Sequence, residues 1–180
     1  MNQKIVIIYC LLGYITLLPL QAQTHWKPQK GSVSFTIRNA GFNVDGQLYG
    51  MTASVYFDLQ NLQSATISAS VDVNTLETGI TARDKHLKAA DYFNVAQYPT
   101  IRMKSVSFLH KGGGQYVGTF DLTIKGTTKT VQMPFSFQES GSNAIFSGSF
   151  EINRLDFGVG DKSMVLDDKV KVSISLSVVK

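Results

Sequence analysis

The sequence DKVKVSISLSVVK, residues Asp168–Lys180, decides the fold of this chain. Every second residue from Val170 to Val178 is aliphatic, and lysine or serine occupies the positions between them. Because side chains alternate between the two faces of a β-strand, this pattern is typical of a strand with one buried face and one wet face. We therefore predict a strand that ends the chain.

The same alternation recurs along the rest of the chain, separated by turn-forming sequences such as KGGG at 111–114, KGTT at 125–128 and ESGSN at 139–143. The apolar phase of one segment changes from Ile101 and Met103 to Val106 and Phe108, which predicts a β-bulge. The predicted strands are 32–38, 46–59, 65–73, 100–110, 115–125, 128–138, 144–153 and 168–179.

Each predicted strand has one apolar face, which the strands must bury by stacking as a sandwich or closing into a barrel. Short, regularly spaced connections favour an antiparallel meander. Eight strands close a barrel that is filled by side chains or holds one small ligand. We therefore predict an all-β fold of eight antiparallel strands, as a sandwich or as a β-barrel.

The segment Thr81–Phe93, TARDKHLKAADYF, does not alternate, and it predicts the one helix, inserted between strands three and four. Thr81 followed by Asp84 resembles a capping box, and Pro99 directs the chain into the next strand. Helical spacing places one face of the helix on the end of the barrel. That face comprises Ala82, His86, Leu87, Ala90 and Phe93.

Large apolar side chains leave two interpretations of the barrel interior open, a solid core or a long apolar pocket. Glycines on or beside the inward faces are equally ambiguous, because they either admit aromatic rings or leave room for a ligand. These glycines are Gly46, Gly50, Gly118 and Gly148. The large side chains are Phe35, Phe57, Met103, Phe108, Phe120, Met133, Phe135, Phe146 and Phe150.

The N-terminal segment has the organisation of a secretory signal peptide. MNQK precedes a largely apolar run, Ile5–Leu20, and the small residue Ala22 follows. We predict a signal peptide over 1–22, a single domain over 23–180, and a periplasmic or secreted location. Cys10, the only cysteine, lies in the predicted signal peptide, so the mature domain contains no disulfide.

Catalysis, metal binding and nucleic-acid binding find little support in the residues. The formal net charge is only +4, too small to indicate a nucleic-acid partner. His25, His86 and His110 lack the spacing of metal ligands. Asp84, His86 and Asp91 leave a hydrolase open as an alternative, but Asp84 and His86 are two residues apart and point in different directions on a helix. We predict no catalytic residue, no cofactor and no metal.

Four segments resemble the YceI-like family, the exported polyisoprenoid-binding proteins. They follow the order of that family and together cover nearly all of the mature chain. The segments are SVSFTIRNAG at 32–41, LETGITARDKHLKAADYFNVAQYPTIRMKS at 76–105, GTFDLTIKGTTKTV at 118–131 and INRLDFGVG at 152–160.

The resemblance implies a lipocalin-like eight-stranded antiparallel barrel with one helix between strands three and four. It also implies an elongated internal pocket that takes an isoprenoid or another long-chain lipid, and no catalysis. The side chains expected in this lipid pocket are Phe35, Ile37, Phe57, Ile67, Val71, Leu87, Phe93, Met103, Phe108, Phe120, Leu122, Met133, Phe135, Phe146, Phe150, Val172 and Ile174.

The charged residues of the helix are interpreted as parts of a lid. The residues that we expect to anchor and orient the helix over the barrel end are Arg83, Asp84, His86 and Leu87. Arg83, Lys88 and Arg154 are the expected contacts of a polar head group. The expected partners are an isoprenoid or fatty-acyl lipid, a membrane contacted transiently, and a second copy of the chain where a homodimer shares a long ligand.

The chain departs from the family pattern where a head group would sit. Gly31 and Asn39 stand where the family often has histidine, and YFN at 92–94 replaces the usual Phe-Phe-Asp. The head-group preference of the family is therefore not carried over to this chain.

Overall fold

The computed structural model describes residues 23–180, and the predicted signal peptide, 1–22, lies outside them. Helix α1 (Thr81–Lys88) lies between β4 and β5, and short 3₁₀ helices occupy Val73–Thr75 and Arg154–Phe157. Within the described residues, no helix has both the length and the apolar character that a membrane crossing requires. The strands are β1 (His25–Asn39), β2 (Phe42–Leu48), β3 (Thr52–Tyr56), β4 (Thr66–Asp72), β5 (Thr100–Gly112), β6 (Gln115–Ile124), β7 (Thr127–Ser140), β8 (Asn143–Asn153) and β9 (Leu166–Val179).

The strands form one antiparallel sheet that closes on itself. Each strand from β3 to β8 pairs with the next one, and β1 pairs with β9 to close the barrel. Strands β2 and β3 occupy a single position, because β2 pairs with one half of β1 and β3 pairs with β1 at His25 and Trp26. The nine segments therefore build a closed eight-stranded antiparallel barrel with one inserted helix, which confirms the predicted fold class.

The predicted strand 46–59 is wrong in its bounds and its continuity. It begins earlier, at Phe42, ends at Tyr56, and is interrupted between β2 and β3. The interruption contains Gly50, whose φ of +69° lies in the left-handed region that breaks a strand. The hydroxyl of Thr75 accepts a hydrogen bond of 2.8 Å from the Tyr49 N–H at the same point.

Strand β1 is longer than the predicted 32–38, because it begins at His25. Pro28 and Gly31 disfavour a strand in the sequence. In the barrel, a register shift between Pro28 and Lys30 accommodates the proline while pairing with β9 continues on both sides.

The β-bulge predicted in 100–110 is confirmed. The register between β5 and β6 shifts between Ser105 and Ser107, so Val106 is the extra residue. Val106 is 60% exposed, although the predicted change of phase placed it among the apolar positions. The bulge thus turns Val106 out and returns Phe108 to the interior side of β5.

Helix α1 is shorter than the predicted Thr81–Phe93, and the predicted capping box is wrong. Ile80 is the N-cap residue and makes no side-chain cap, while Thr81 is already helical. The helix ends at Lys88 because Ala89 is extended, with a ψ of 169°. The chain then turns back, which buries Val95 against the barrel, whereas a continued helix would have carried it away.

The two ends of the barrel differ. The lid end carries the turn 40–41, the α1-containing segment 73–99, the turn 125–126 and the segment 154–165. The plug end carries the segment 57–65 and the turns 113–114 and 141–142. Because α1 and the 3₁₀ helix Arg154–Phe157 both lie at the lid end, the candidate site is sought there.

Candidate functional site

The barrel interior contains an apolar cavity of about 330 Å³. The inward faces of β1, β4 to β9 and α1 supply most of its lining, as the alternation of these strands requires. Fifteen of the residues expected in the lipid pocket lie there, and their contact with lipid stays a prediction. They are Phe35, Ile37, Ile67, Val71, Leu87, Phe93, Met103, Phe120, Leu122, Met133, Phe135, Phe146, Phe150, Val172 and Ile174.

Phe57 and Phe108 do not line the cavity, in contrast to the expectation. Phe57 is only 1% exposed, and its ring packs against five other aromatic rings at the plug end. Trp26 donates a hydrogen bond of 2.9 Å from Nε1 to the Phe57 carbonyl. We call this group the aromatic plug; it comprises Trp26, Phe57, Phe108, Tyr116 and Phe137.

The two interpretations of the interior therefore apply to different halves of one barrel. The plug end is solid, and the lid end is hollow.

Sequence reasoning missed several lining residues. Period two includes Val33 and Val170 and was sufficient to find them, but no periodic signal marks Phe157 and Val159, which reach the cavity from the segment 154–165.

The inward glycines make room for aromatic rings. A Cβ on Gly46 would lie 2.2 Å from Phe35 Cζ, and one on Gly118 would lie 2.2 Å from Phe120 Cε2. A Cβ on Gly148 would meet the Phe135 Cβ at 2.8 Å. These three glycines thus set the positions of rings that line the cavity, while Gly50 serves the break between β2 and β3.

Arg83 and Asp84 anchor α1 through Thr78, a residue that sequence reasoning did not single out. Arg83 donates from Nε to the Thr78 hydroxyl and from Nη2 to the Thr78 carbonyl, each at 2.7 Å. The Asp84 carboxylate accepts hydrogen bonds from the Thr78 N–H and hydroxyl. The two charged side chains thereby hold the loop before α1 through a shared partner and form no ion pair with each other.

His86 and Asp91 form an exposed pair beside the cavity. Their Nε2 and Oδ2 atoms are 2.8 Å apart, and His86 lines the cavity whereas Asp91 does not. The hydrogen bond from His86 lowers the pKa of the Asp91 carboxyl. The His86 ring also packs edge-on against Tyr92. Lys88 is half-buried and does not line the cavity, so its expected contact with a head group stays a prediction.

Arg154 is buried, only 4% exposed, although it also lines the cavity. Its Nε donates to the Asp167 carbonyl, Nη1 to the Val159 carbonyl and Nη2 to the Asp161 carbonyl, over 2.8–2.9 Å. Asp168 Oδ1 lies 3.5 Å from Nη2. The guanidinium fork thus fastens the segment 154–165 to the start of β9, a structural role that differs from the expected contact with a head group.

The charged side chains on the cavity are all basic. Among residues 23–180, no aspartate or glutamate lines it. The same residues contain no cluster of three or more histidine, cysteine or acidic side chains that could hold a metal ion. The arrangement offers an apolar volume with basic side chains at its mouth, and in the described part of the chain His86 forms no hydrogen bond to a hydroxyl or thiol.

Sequence comparison finds relatives over most of the chain. The family model of the YceI-like domain matches residues 25–178. A UPF0312 protein of Photorhabdus laumondii is 31% identical over 150 residues, which cover 77% of this chain and 78% of that protein. A UPF0312 protein of Shewanella denitrificans is 29% identical over 161 residues, which cover 83% of this chain and 84% of that protein.

Solved structures share the architecture. BcnA of Burkholderia cenocepacia superposes with a TM-score of 0.78 at 26% identity, covering 82% of this chain and 95% of BcnA. A polyisoprenoid binding domain from Saccharophagus degradans, implicated in plant cell wall breakdown, superposes with a TM-score of 0.68 at 12% identity, covering 86% of this chain and 97% of that domain. At 12% identity, the likeness to the domain from Saccharophagus degradans shows a shared fold alone.

Proposed function

We propose that this protein, which belongs to the YceI-like domain family, is a non-catalytic carrier that binds the apolar tail of an isoprenoid or fatty-acyl lipid inside its barrel. The observation that carries the proposal is the apolar cavity at the lid end. A core filled by its own side chains throughout would leave no such volume.

The size and lining of the cavity suit a short tail. Its volume of about 330 Å³ is at the lower end of the range of small-molecule sites, about 300–1,000 Å³. Burial of a tail gains about 25 cal/mol for each Å² of apolar surface removed from water. A long polyprenyl chain would fold back, protrude through the lid end, or be shared by two copies of the protein.

A solved structure of the same fold supports an isoprenoid tail as the ligand. The domain from Saccharophagus degradans is described as polyisoprenoid binding, and its barrel has the same fold. Transport from one site to another, a periplasmic or secreted location and a homodimer remain predictions from the sequence.

A filled-core interaction module is the second candidate function, and the aromatic plug favours it. At the plug end, Phe57 and Val55 are almost fully buried, as in a filled core. In this alternative the cavity is a packing defect and takes up no lipid. A hydrolase is a weaker candidate, since His86 has a carboxylate partner but, within residues 23–180, no hydrogen bond to a hydroxyl or thiol.

A paired substitution on β4 tests whether the cavity holds lipid. Ala69 lines the cavity, whereas its neighbour Ser68 is exposed on the outer face. We expect A69W to fill the cavity and to weaken binding of dodecanoate or farnesol about tenfold or more, a loss of about 1.4 kcal/mol. S68W should bind as the native protein does. Native mass spectrometry, followed by organic extraction, measures occupancy and identifies any co-purified lipid.

Two results would reject the carrier function. The first is a native protein that is free of lipid and takes up none of the added prenyl lipids or fatty acids, which would favour the interaction module. The second is unchanged binding by A69W when circular dichroism shows that it is folded. A cost of about 1–3 kcal/mol in stability is expected from overpacking, so binding is measured well below the melting temperature.

Transient membrane contact is proposed at the lid end. Phe42 is 78% exposed, and Met164 is fully exposed. A hydrogen bond of 2.7 Å from the Ala40 N–H to the Val165 carbonyl joins the two segments that carry them. Exposed Arg38 stands at the same turn, where it offers positive charge to lipid phosphates. Asn39 and Leu166, which lie close to this rim in the chain, line the cavity. Insertion of the rim into a bilayer surface would therefore shorten the path of the tail through water.

Vesicle flotation tests the membrane contact. The double variant F42S/M164S should lower the fraction bound to phosphatidylcholine–phosphatidylglycerol vesicles about tenfold, because it removes two large apolar side chains from the contact. L109S is the matched control, since Leu109 is 55% exposed on β5 towards the plug end. Equal binding by the native protein and both variants would show that Phe42 and Met164 do not make a membrane contact.

A further inference from the structure

We infer that the bound tail carries an anionic head group, a carboxylate or a phosphate, and that Arg83 holds this group at the mouth of the cavity. The inference rests on the proposed function, because it concerns the polar end of the same ligand. It begins from the charge of the lining, which contains basic side chains and, among the described residues, no acidic one.

Among the described arginines that line the cavity, Arg83 alone combines unbonded N–H groups with a position on the lid. Arg154 is buried and directs all three guanidinium nitrogens at carbonyls of its own chain. Arg102 lies between the inward-facing Ile101 and Met103 and belongs to the exposed outer face of β5. Arg83 is half-buried, lines the cavity and lies on the lid itself.

The guanidinium of Arg83 is held in place by hydrogen bonds, but some of its N–H donors have no partner among the described residues. Its Nε and one Nη2 hydrogen are bound to Thr78, which is itself held by Asp84. Within residues 23–180, Nη1 takes part in none of the hydrogen bonds, and Arg83 forms no salt bridge. Two Nη1 hydrogens and one Nη2 hydrogen therefore remain on a planar group whose orientation is already set.

The nearby carboxylates are committed to other partners. Asp84 accepts from the N–H and the hydroxyl of Thr78. Asp91 is paired with His86, and that hydrogen bond lowers the pKa of the Asp91 carboxyl. Neither carboxylate lines the cavity. A half-buried cation beside an apolar volume, with no acidic partner of its own, is best satisfied by a charge that the ligand brings.

The chemistry of arginine selects the class of head group. A guanidinium presents parallel N–H donors that match the two oxygens of a carboxylate or two oxygens of a phosphate. A hydroxyl head group of the same tail would accept a single, weaker hydrogen bond. Charged hydrogen bonds are roughly twice as strong as neutral ones, so the anion is expected to be preferred.

Two matched ligand pairs test the head group independently of the tail. Dodecanoate is compared with dodecanol, and farnesyl phosphate with farnesol, by isothermal titration of the delipidated protein. We expect the anion of at least one pair to bind about tenfold more tightly than its alcohol. The pair with the larger ratio distinguishes a carboxylate from a phosphate ligand.

Substitution then assigns the preference to Arg83. R83Q should bring the ratio of the two dissociation constants close to one, and this ratio separates the head group from any change in affinity that both ligands share. R83K, which keeps the charge but loses the planar fork, should retain part of the preference. K85Q is the control, because Lys85 is exposed on the same helix and does not line the cavity.

The possible failures are distinct. No uptake of any of the four probes would reject the carrier function itself. Uptake of alcohols and anions with equal affinity would leave the carrier function intact and overturn the anionic head group. An unchanged ratio in folded R83Q would overturn the role of Arg83. If R83Q does not fold, an unchanged ratio in R83K, together with no weakening of the anion in high salt, would overturn that role.

Discussion

Replacement of Arg154 with alanine is expected to lower the free energy of unfolding by about 3–5 kcal/mol. The guanidinium is 4% exposed and is bound by the carbonyls of Val159, Asp161 and Asp167. Alanine would leave the buried Val159 carbonyl and the part-buried interactions of the Asp161 and Asp167 carbonyls without their donor. An unsatisfied buried acceptor costs more than a neutral hydrogen bond contributes. Urea denaturation followed by fluorescence measures the change.

Lys162 offers a matched control for Arg154. It pairs with the same carboxylate, Asp168, but its side chain is 74% exposed. K162A should therefore cost about 0–1 kcal/mol, as is usual for an exposed ion pair. R154K should recover little of the lost stability, because the compact ammonium of lysine lacks the planar fork with which arginine reaches three carbonyls. A stability of R154A within about 1 kcal/mol of the native protein would contradict the structural role of Arg154.

Replacement of Phe57 with alanine is expected to cost about 3–5 kcal/mol. The ring is 1% exposed, and it packs against the rings of Phe108, Tyr116, Phe135, Phe137 and Phe146 at centroid distances of 5.1–6.1 Å. Its removal deletes these contacts and leaves a void that the closed barrel cannot fill by collapse.

The neighbouring Leu59 separates this packing effect from a general loss of apolar surface. Leu59 is 45% exposed on the same end of the barrel, and L59A should change stability by less than about 0.5 kcal/mol. Both variants are compared by urea denaturation. Similar losses for F57A and L59A would show that the plug end is loosely packed, contrary to the structure described above.

The outline of the fold was predictable because strand alternation is written into the chain locally. Val170 to Val178 face inwards in a period of two, and the same rule located the seven other strand positions. The errors lie where local rules compete. Pro28 and Gly31 concealed the first half of β1, which pairing with β9 maintains, and Gly50 divided a strand that the alternation alone would have continued.

The site was less predictable than the fold. Phe57 and Phe135 are both inward-facing phenylalanines, yet only Phe135 borders the cavity. The charge of Arg154 suggested an exposed contact with a head group. In the structure, carbonyls from two separate segments, 159–161 and 166–167, surround its guanidinium. Thr78, the partner of Arg83 and Asp84, lies in the segment 76–105 that resembles the family, but no local pattern there predicted its contacts with these two residues.

By itself the sequence determined that this protein has an all-β fold with one inserted helix, because the direction of each strand side chain depends only on its position in a period of two. Only the tertiary structure decided which part of the interior is filled and which is hollow, and which arginine retains free donors. These properties depend on how side chains and carbonyls from distant strands meet, and packing at crystal-like density makes that outcome specific to each position.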